Sequence, residues 1–97
     1  MALTDKQKKH LRTLAHKLKP VVHVGNAGVT PELMSELGHM LERHELIKVR
    51  VRAGQREMRD LAIADLTSQS GAELVSRIGN IAVLYRRRQQ APEIILP

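Results

Sequence analysis

A chain of 97 residues with a formal charge of +6 has room for one domain and one principal core. It has no cysteine, which excludes a disulfide framework and thiolate metal sites, and its only aromatic is Tyr85, which excludes the stacked rings of RRM- and OB-type single-strand binders. The N-terminus turns polar within four residues and the longest apolar run, Ile81 to Tyr85, is too short for a bilayer, so a soluble, cytoplasmic protein without signal peptide or membrane partner is expected.

The first predicted helix runs from Thr4 through Lys17. Thr4 and Gln7 form a capping-box pattern. Leu11, Leu14, Ala15 and Leu18 share one face, and Lys6, Lys9, Arg12 and His16 take the opposite one. Lys19-Pro20 ends the helix, because the residue before proline avoids the α region. Val21 to Val24 is a short β-branched strand, closed by Gly25-Asn26-Ala27-Gly28. Thr30 then caps a second helix whose first position is Pro31, where the missing N–H costs nothing. Leu33, Leu37, Met40, Leu41 and His44 repeat at helical spacing. Glu32, Glu36 and Glu42 line the outer face, so only the N-terminal tip of this helix suits an anion.

Leu46 to Arg52 alternates, with Ile47, Val49 and Val51 on one side and Lys48, Arg50 and Arg52 on the other, successive cations about 6.5 Å apart. Ala53-Gly54 breaks that strand. A third helix is expected from about Gln55 to Ser70, with Met58, Leu61, Ala62 and Leu66 as its apolar side, Arg56 paired to Asp60, and Gly71 just past its end. Leu74 to Ile78 and Ile81 to Arg86 read as strands joined at Gly79-Asn80. Residues 86–97 read as a basic tail in which Glu93 to Leu96 has the option of packing back as an extended edge. The implied fold class is α/β, a compact α-β-α-β-α-β-β two-layer sandwich on a four-stranded mixed sheet, in one domain over residues 1–97.

The positive charge is unevenly placed. Residues 1–28 hold six Lys/Arg against one Asp, residues 29–85 seven against eight acidic groups, and residues 86–97 three Arg against one Glu. Such asymmetry suits a polyanionic partner, although a basic surface also serves solubility. Gly-x-x-Gly alone is an ordinary turn. Between a strand and an N-capped helix, it presents backbone amides to a phosphate, and Gly25 and Gly28 let a sugar-phosphate backbone approach the main chain. The KH domain clamps nucleotides with such a loop. The loop lacks the third glycine of a dinucleotide fingerprint and the Gly-Lys-Ser/Thr ending of a P-loop.

The row Lys48, Arg50 and Arg52 is equally readable as a solvated face, a face under the first helix, or a face presented to RNA. Arg86-Arg87-Arg88 is a solvated run or a phosphate contact. The five histidines fall at spacings that make no metal site, and no nucleophile or acid–base arrangement stands out, so neither a metal, a cofactor nor catalysis is expected. DNA reading by a helix-turn-helix is disfavoured, because a strand separates the first two helices.

Four blocks then carry a resemblance: Leu18-Lys19-Pro20-Val21-Val22, Gly25-Asn26-Ala27-Gly28-Val29-Thr30, His44-Glu45-Leu46-Ile47-Lys48-Val49 and Val83-Leu84-Tyr85-Arg86. In this order they resemble the CRM domain (chloroplast RNA splicing and ribosome maturation), in its stand-alone bacterial YhbY-like form. The resemblance implies a fold like the C-terminal domain of translation initiation factor three. It also implies binding to ribosomal RNA in precursors of the large ribosomal subunit, with the family's glycine loop at Gly25 to Gly28. The candidate RNA-binding residues are Gly25, Asn26, Ala27, Gly28 and Thr30 at the loop, with Lys9, Arg12, Lys19, Lys48, Arg50 and Arg86 extending the contact. A monomer is expected. The rival reading is a basic adaptor that docks an acidic protein partner.

Overall fold

The computed structural model describes residues 2–52 and 54–97; Ala53, assigned with Gly54 to the break after the second strand, lies outside the described residues. Helix α1 covers Asp5–Ala15. At its start the Thr4 hydroxyl accepts from the Gln7 amide at 3.1 Å, and the Gln7 side chain accepts from the Thr4 amide at 3.0 Å. This is the expected capping box. The helix ends before the expected Lys17 because the Leu18 amide folds back to the Ala15 carbonyl at 2.9 Å, tightening the last turn. There follow β1 (Pro20–Val24), α2 (Pro31–His44), β2 (Leu46–Val51), α3 (Arg56–Ser70), β3 (Glu73–Ile78) and β4 (Ile81–Tyr85).

The strands lie in the order β1-β2-β4-β3. β1 runs parallel to β2, and β4 runs antiparallel to both β2 and β3. β2 and β3 therefore point the same way with β4 inserted between them, and α3 is the crossover that this arrangement requires. The alternation in β2 decides the layers. Ile47, Val49 and Val51 pack with Val22, Val24, Ala82 and Leu84 beneath Leu37 and Leu41 of α2 and Ile63 and Leu66 of α3. Leu37 and Leu41, one turn apart and wholly buried, each contribute about 1.5–3 kcal/mol of apolar burial. On the sheet's other face, Leu11 and Ala15 of α1 pack on Leu46, Val75, Val83 and Tyr85. Thus the expected sandwich of sheet and helices is present, with α1 adding cover on the opposite face.

Residues 87–97 are not a free tail, and the end of the segment packs back as the sequence allowed, without joining the sheet as a strand. Ile94 and Leu96 pack into the α1-side cluster, and the segment is anchored by Glu45 between α2 and β2. The Glu45 side chain is fully buried and accepts from the amides of Arg88 at 2.9 Å, Glu93 at 2.8 Å and Ile94 at 3.0 Å. Burial pushes this carboxyl up, yet the three amides and the Arg88 charge outweigh it, so its pKa lies below 4.5. Glu45 also holds a φ of 62°, which costs a non-glycine residue about 1–2 kcal/mol. Three hydrogen bonds to an ionised group, each worth roughly 1.5–3 kcal/mol, offset that strain.

Helix α3 departs from its expected pattern. Its buried residues are Ile63 and Leu66, whereas Met58 and Leu61 are 56% and 63% exposed. The core stripe runs through Ala62, Ile63 and Leu66, and Met58, Leu61 and Asp65 form the next row along the helix. Asp60 pairs with Arg77 of β3 rather than closely with Arg56, and the Arg77 guanidinium holds its carboxyl below the usual range.

Candidate nucleic-acid interface

The loop after β1 is a tight turn in which the Gly28 amide donates to the Gly25 carbonyl at 3.0 Å. Gly28 has a φ of +76°, a conformation that side chains rarely adopt, and a Cβ there would meet nothing within 4 Å. Its glycine is thus demanded by backbone geometry and not by crowding. Asn26 and Ala27 are exposed. Among the described residues, the amides of Asn26, Ala27, Val29 and Thr30 donate to no protein acceptor. The Thr30 hydroxyl accepts from the Leu33 amide at 3.1 Å and caps α2, whose N-terminal dipole therefore adjoins these free amides. The Thr30 hydroxyl is thus already engaged as a cap.

The basic row faces the α1 side of the sheet. Val22 and Val24 point into the α2–α3 core, so His23 projects to the other face, paired in register with Arg50. Arg50 is thereby two strand residues, about 7 Å, from Gly25 along the sheet. Lys48 lies next on the same face and lines a groove of about 240 Å3 with Arg12 and His16 of α1. Among the described residues no carboxylate pairs with Arg12, Lys48 or Arg50, and the Arg50 Nε is buried without a partner. These cations are uncommitted. Lys9 is exposed one turn before Arg12 on α1. Arg52 shares the sequence row but is not among the expected contacts. Its amide bonds the Val24 carbonyl at 2.8 Å, one residue before the loop, and its side chain is exposed. Two-residue spacing from Arg50 is the signal that points to it.

Two predicted contacts fall elsewhere. Lys19 precedes β1 and lines a groove with Lys17 and His44, at the end of β1 opposite the glycine loop. Arg86 follows β4 and is committed: its guanidinium donates to the Ser70 carbonyl at 2.8 Å and pairs with Glu42 at 3.2 Å. Arg86 ties the C-terminus of α3 to α2, a structural task. Arg88 is similarly occupied, pairing with Glu93 and donating to the Ala91 carbonyl. No group of three metal-ligating side chains stands together among the described residues, and no described helix is long and apolar enough to cross a membrane.

The model of the CRS1/YhbY (CRM) domain family matches residues 3–86, from the approach to α1 through the end of β4. The chain belongs to this CRM family. It is 43% identical over 95 residues to an RNA-binding protein of Haemophilus influenzae, covering 98% of this chain and 95% of that one. It is 39% identical over 95 residues to a Bacillus subtilis protein named probable RNA-binding protein YqeI, covering 98% and 99% of the two chains. The solution structure of a hypothetical protein from Staphylococcus aureus superposes with a TM-score of 0.84 at 35% identity, over 99% of this chain and 100% of that one. The CRM match stops where the Glu45-anchored segment begins, so residues 87–97 extend the domain's packing beyond the matched part.

Proposed function

We propose that this CRM protein is a non-enzymatic, cytoplasmic RNA-binding protein that acts as a monomer on ribosomal RNA in precursors of the large ribosomal subunit. One observation carries the RNA-binding part. The free amides of the Gly25–Gly28 turn adjoin the capped N-terminus of α2, with the uncommitted Arg50, Lys48 and Arg12 on the neighbouring face. The loop takes one phosphate through main-chain N–H groups, and the cations follow the backbone away from it. Lys19 and Arg86 take no part in this path. The names of the Haemophilus and Bacillus relatives support the same reading. The ribosomal target rests on the resemblance of the four sequence blocks to stand-alone CRM proteins.

Cross-linking in cells, followed by mapping of the bound RNA, tests the proposal. Enrichment on large-subunit ribosomal RNA is expected. A diffuse cellular profile refutes the assembly role, and recovery of no RNA refutes the binding itself.

A further inference from the structure

Beside the glycine loop, on the α2–α3 side, lies a groove of about 350 Å3, at the small end of the range for ligand pockets. The loop residues Gly25, Asn26 and Gly28 form one wall. Met58 and Leu61 of α3 form the other, with Asp65 in the same lining. Met58 and Leu61 are the two side chains that periodicity assigned to the core and the fold leaves 56% and 63% exposed. The row Met58, Leu61, Asp65 follows i, i+3, i+7 spacing and runs roughly 10 Å along the helix, the reach of a nucleotide from phosphate to base edge. The start of α3 opens onto the same groove through Gly54, and its N-cap Gln55 makes no side-chain cap hydrogen bond.

We propose that this groove is a nucleobase pocket, which takes one unstacked base of the bound RNA and favours bases that present hydrogen-bond donors to Asp65. The inference rests on the RNA-binding reading above and adds to it where a base goes. The occupant follows from continuity: a phosphate held on the loop amides places its own nucleotide over the loop's rim, and the apolar wall there is Met58 and Leu61. Polarizable thioether and branched aliphatic surface suits a π-face where no aromatic ring is available. Tyr85, the only such ring, packs on the opposite face of the sheet.

Asp65 supplies the selectivity. It is an exposed carboxylate beside a predicted phosphate grip, and among the described residues its side chain has no ion-pair partner. A carboxylate only accepts hydrogen bonds. Guanine offers it adjacent N–H and amino donors, and adenine and cytosine offer an amino group. Uracil offers one N–H flanked by two carbonyl oxygens, which repel it.

The test uses the full chain with hexauridylate RNA and three versions carrying a single central guanosine, adenosine or cytidine, at one salt concentration. The guanosine version is expected to bind about fivefold more tightly than hexauridylate, with adenosine and cytidine between them. With Tyr85 remote, an upfield ring-current shift of the Met58 and Leu61 methyl resonances is a direct signature of a base in the groove. Asp65→Asn, able to donate as well as accept, is expected to bring guanosine and uridine within about twofold. Leu61→Gln, at an exposed position, is expected to lower affinity for all four RNAs and abolish the shift. RNA binding without the methyl shift, or with a base preference that survives Asp65→Asn, overturns the pocket and leaves RNA binding standing. Failure of every oligonucleotide to bind at low salt overturns the RNA-binding reading itself.

Discussion

Gly28→Glu separates the loop's chemistry from its fold. The wild-type residue sits at a φ of +76° with open space where a Cβ would be placed, so the substitution meets strain and no clash. Left-handed backbone costs a residue with a side chain about 1–2 kcal/mol, against a total stability of roughly 5–15 kcal/mol for a domain. The variant should therefore fold, with a melting temperature lowered by roughly 4–16 °C. Its carboxylate would stand among the free amides of Asn26, Ala27 and Val29 and occupy or repel what a phosphate takes. Losing hydrogen bonds to a charged group is worth about 1.5–3 kcal/mol, which predicts an affinity loss of about 10- to 150-fold. Gly28→Asn is the matched control, since asparagine tolerates this backbone region without charge, and it should stay within about threefold of wild type. Fluorescence anisotropy with labelled RNA reads the affinity, and circular dichroism with a thermal melt reads the fold. The deficit of Gly28→Glu should also shrink in high salt, where the screening length falls from about 10 Å to about 3 Å. A folded Gly28→Glu variant with undiminished affinity refutes a loop-centred grip.

The basic face and the buried anchor make separate predictions. Arg50→Ala and Lys48→Ala should each weaken binding and flatten the dependence of log K on log salt by about 0.7–0.9, one phosphate's share, whereas Lys19→Ala should leave the slope unchanged. In a salt titration, slopes unchanged by Arg50→Ala and Lys48→Ala would place the RNA path elsewhere, and a slope flattened by Lys19→Ala would refute its exclusion. Glu45→Gln should cost about 2–4 kcal/mol in chemical denaturation, because an amide cannot accept from the Arg88, Glu93 and Ile94 N–H groups as a carboxylate does. RNA affinity should hold where the variant is folded. The Glu45 pKa is lowered on folding, so its contribution is complete above the ordinary value of 4.5 and is lost as pH falls through the folded value. The wild-type advantage over Glu45→Gln, measured by melts from neutral pH down to about pH 3, should hold at neutral pH and narrow below 4.5. A gap that widens in acid refutes the assigned role of the ionised form.

Much of the fold was legible because its signals are local. The Thr4 and Thr30 caps, the Pro31 start, the alternation of Ile47, Val49 and Val51 and the break at Gly79-Asn80 all act within a few residues of chain. Strand order was not local. That β4 inserts between β2 and β3 depends on which apolar faces meet, and one sequence does not state it. The anchor of residues 87–97 was hidden for a sharper reason. Arg87, Arg88 and the polar run to Pro92 read as solvated, but the segment is held by backbone amides that composition does not register. The acceptor, Glu45, lies more than forty residues away, at a helix end where a carboxylate looks like surface.

The same distinction divides the site. Gly25 to Gly28 and Thr30 were legible because strand, turn and cap adjoin in sequence. Lys48 and Arg50 were legible as a row, and only the fold shows that α1 leaves Lys48 open beside Arg12. Lys19 looked like a loop neighbour, six residues before Gly25. Extended chain places such a residue roughly 20 Å away, so closeness in sequence became distance in space. Arg86 looked free and is consumed by Ser70 and Glu42. Met58 and Leu61 erred in the opposite direction. A helix with apolar residues on two adjacent rows does not declare which row the sheet covers, and hydrophobicity alone assigned both to the core. The sheet takes Ile63 and Leu66, and the row it leaves uncovered lies against the glycine loop. An apolar row buried for stability would be shielded by the fold itself. One left open at the rim of the proposed phosphate grip is better explained by a ligand with both a charged backbone and an apolar face, and a nucleotide is such a ligand.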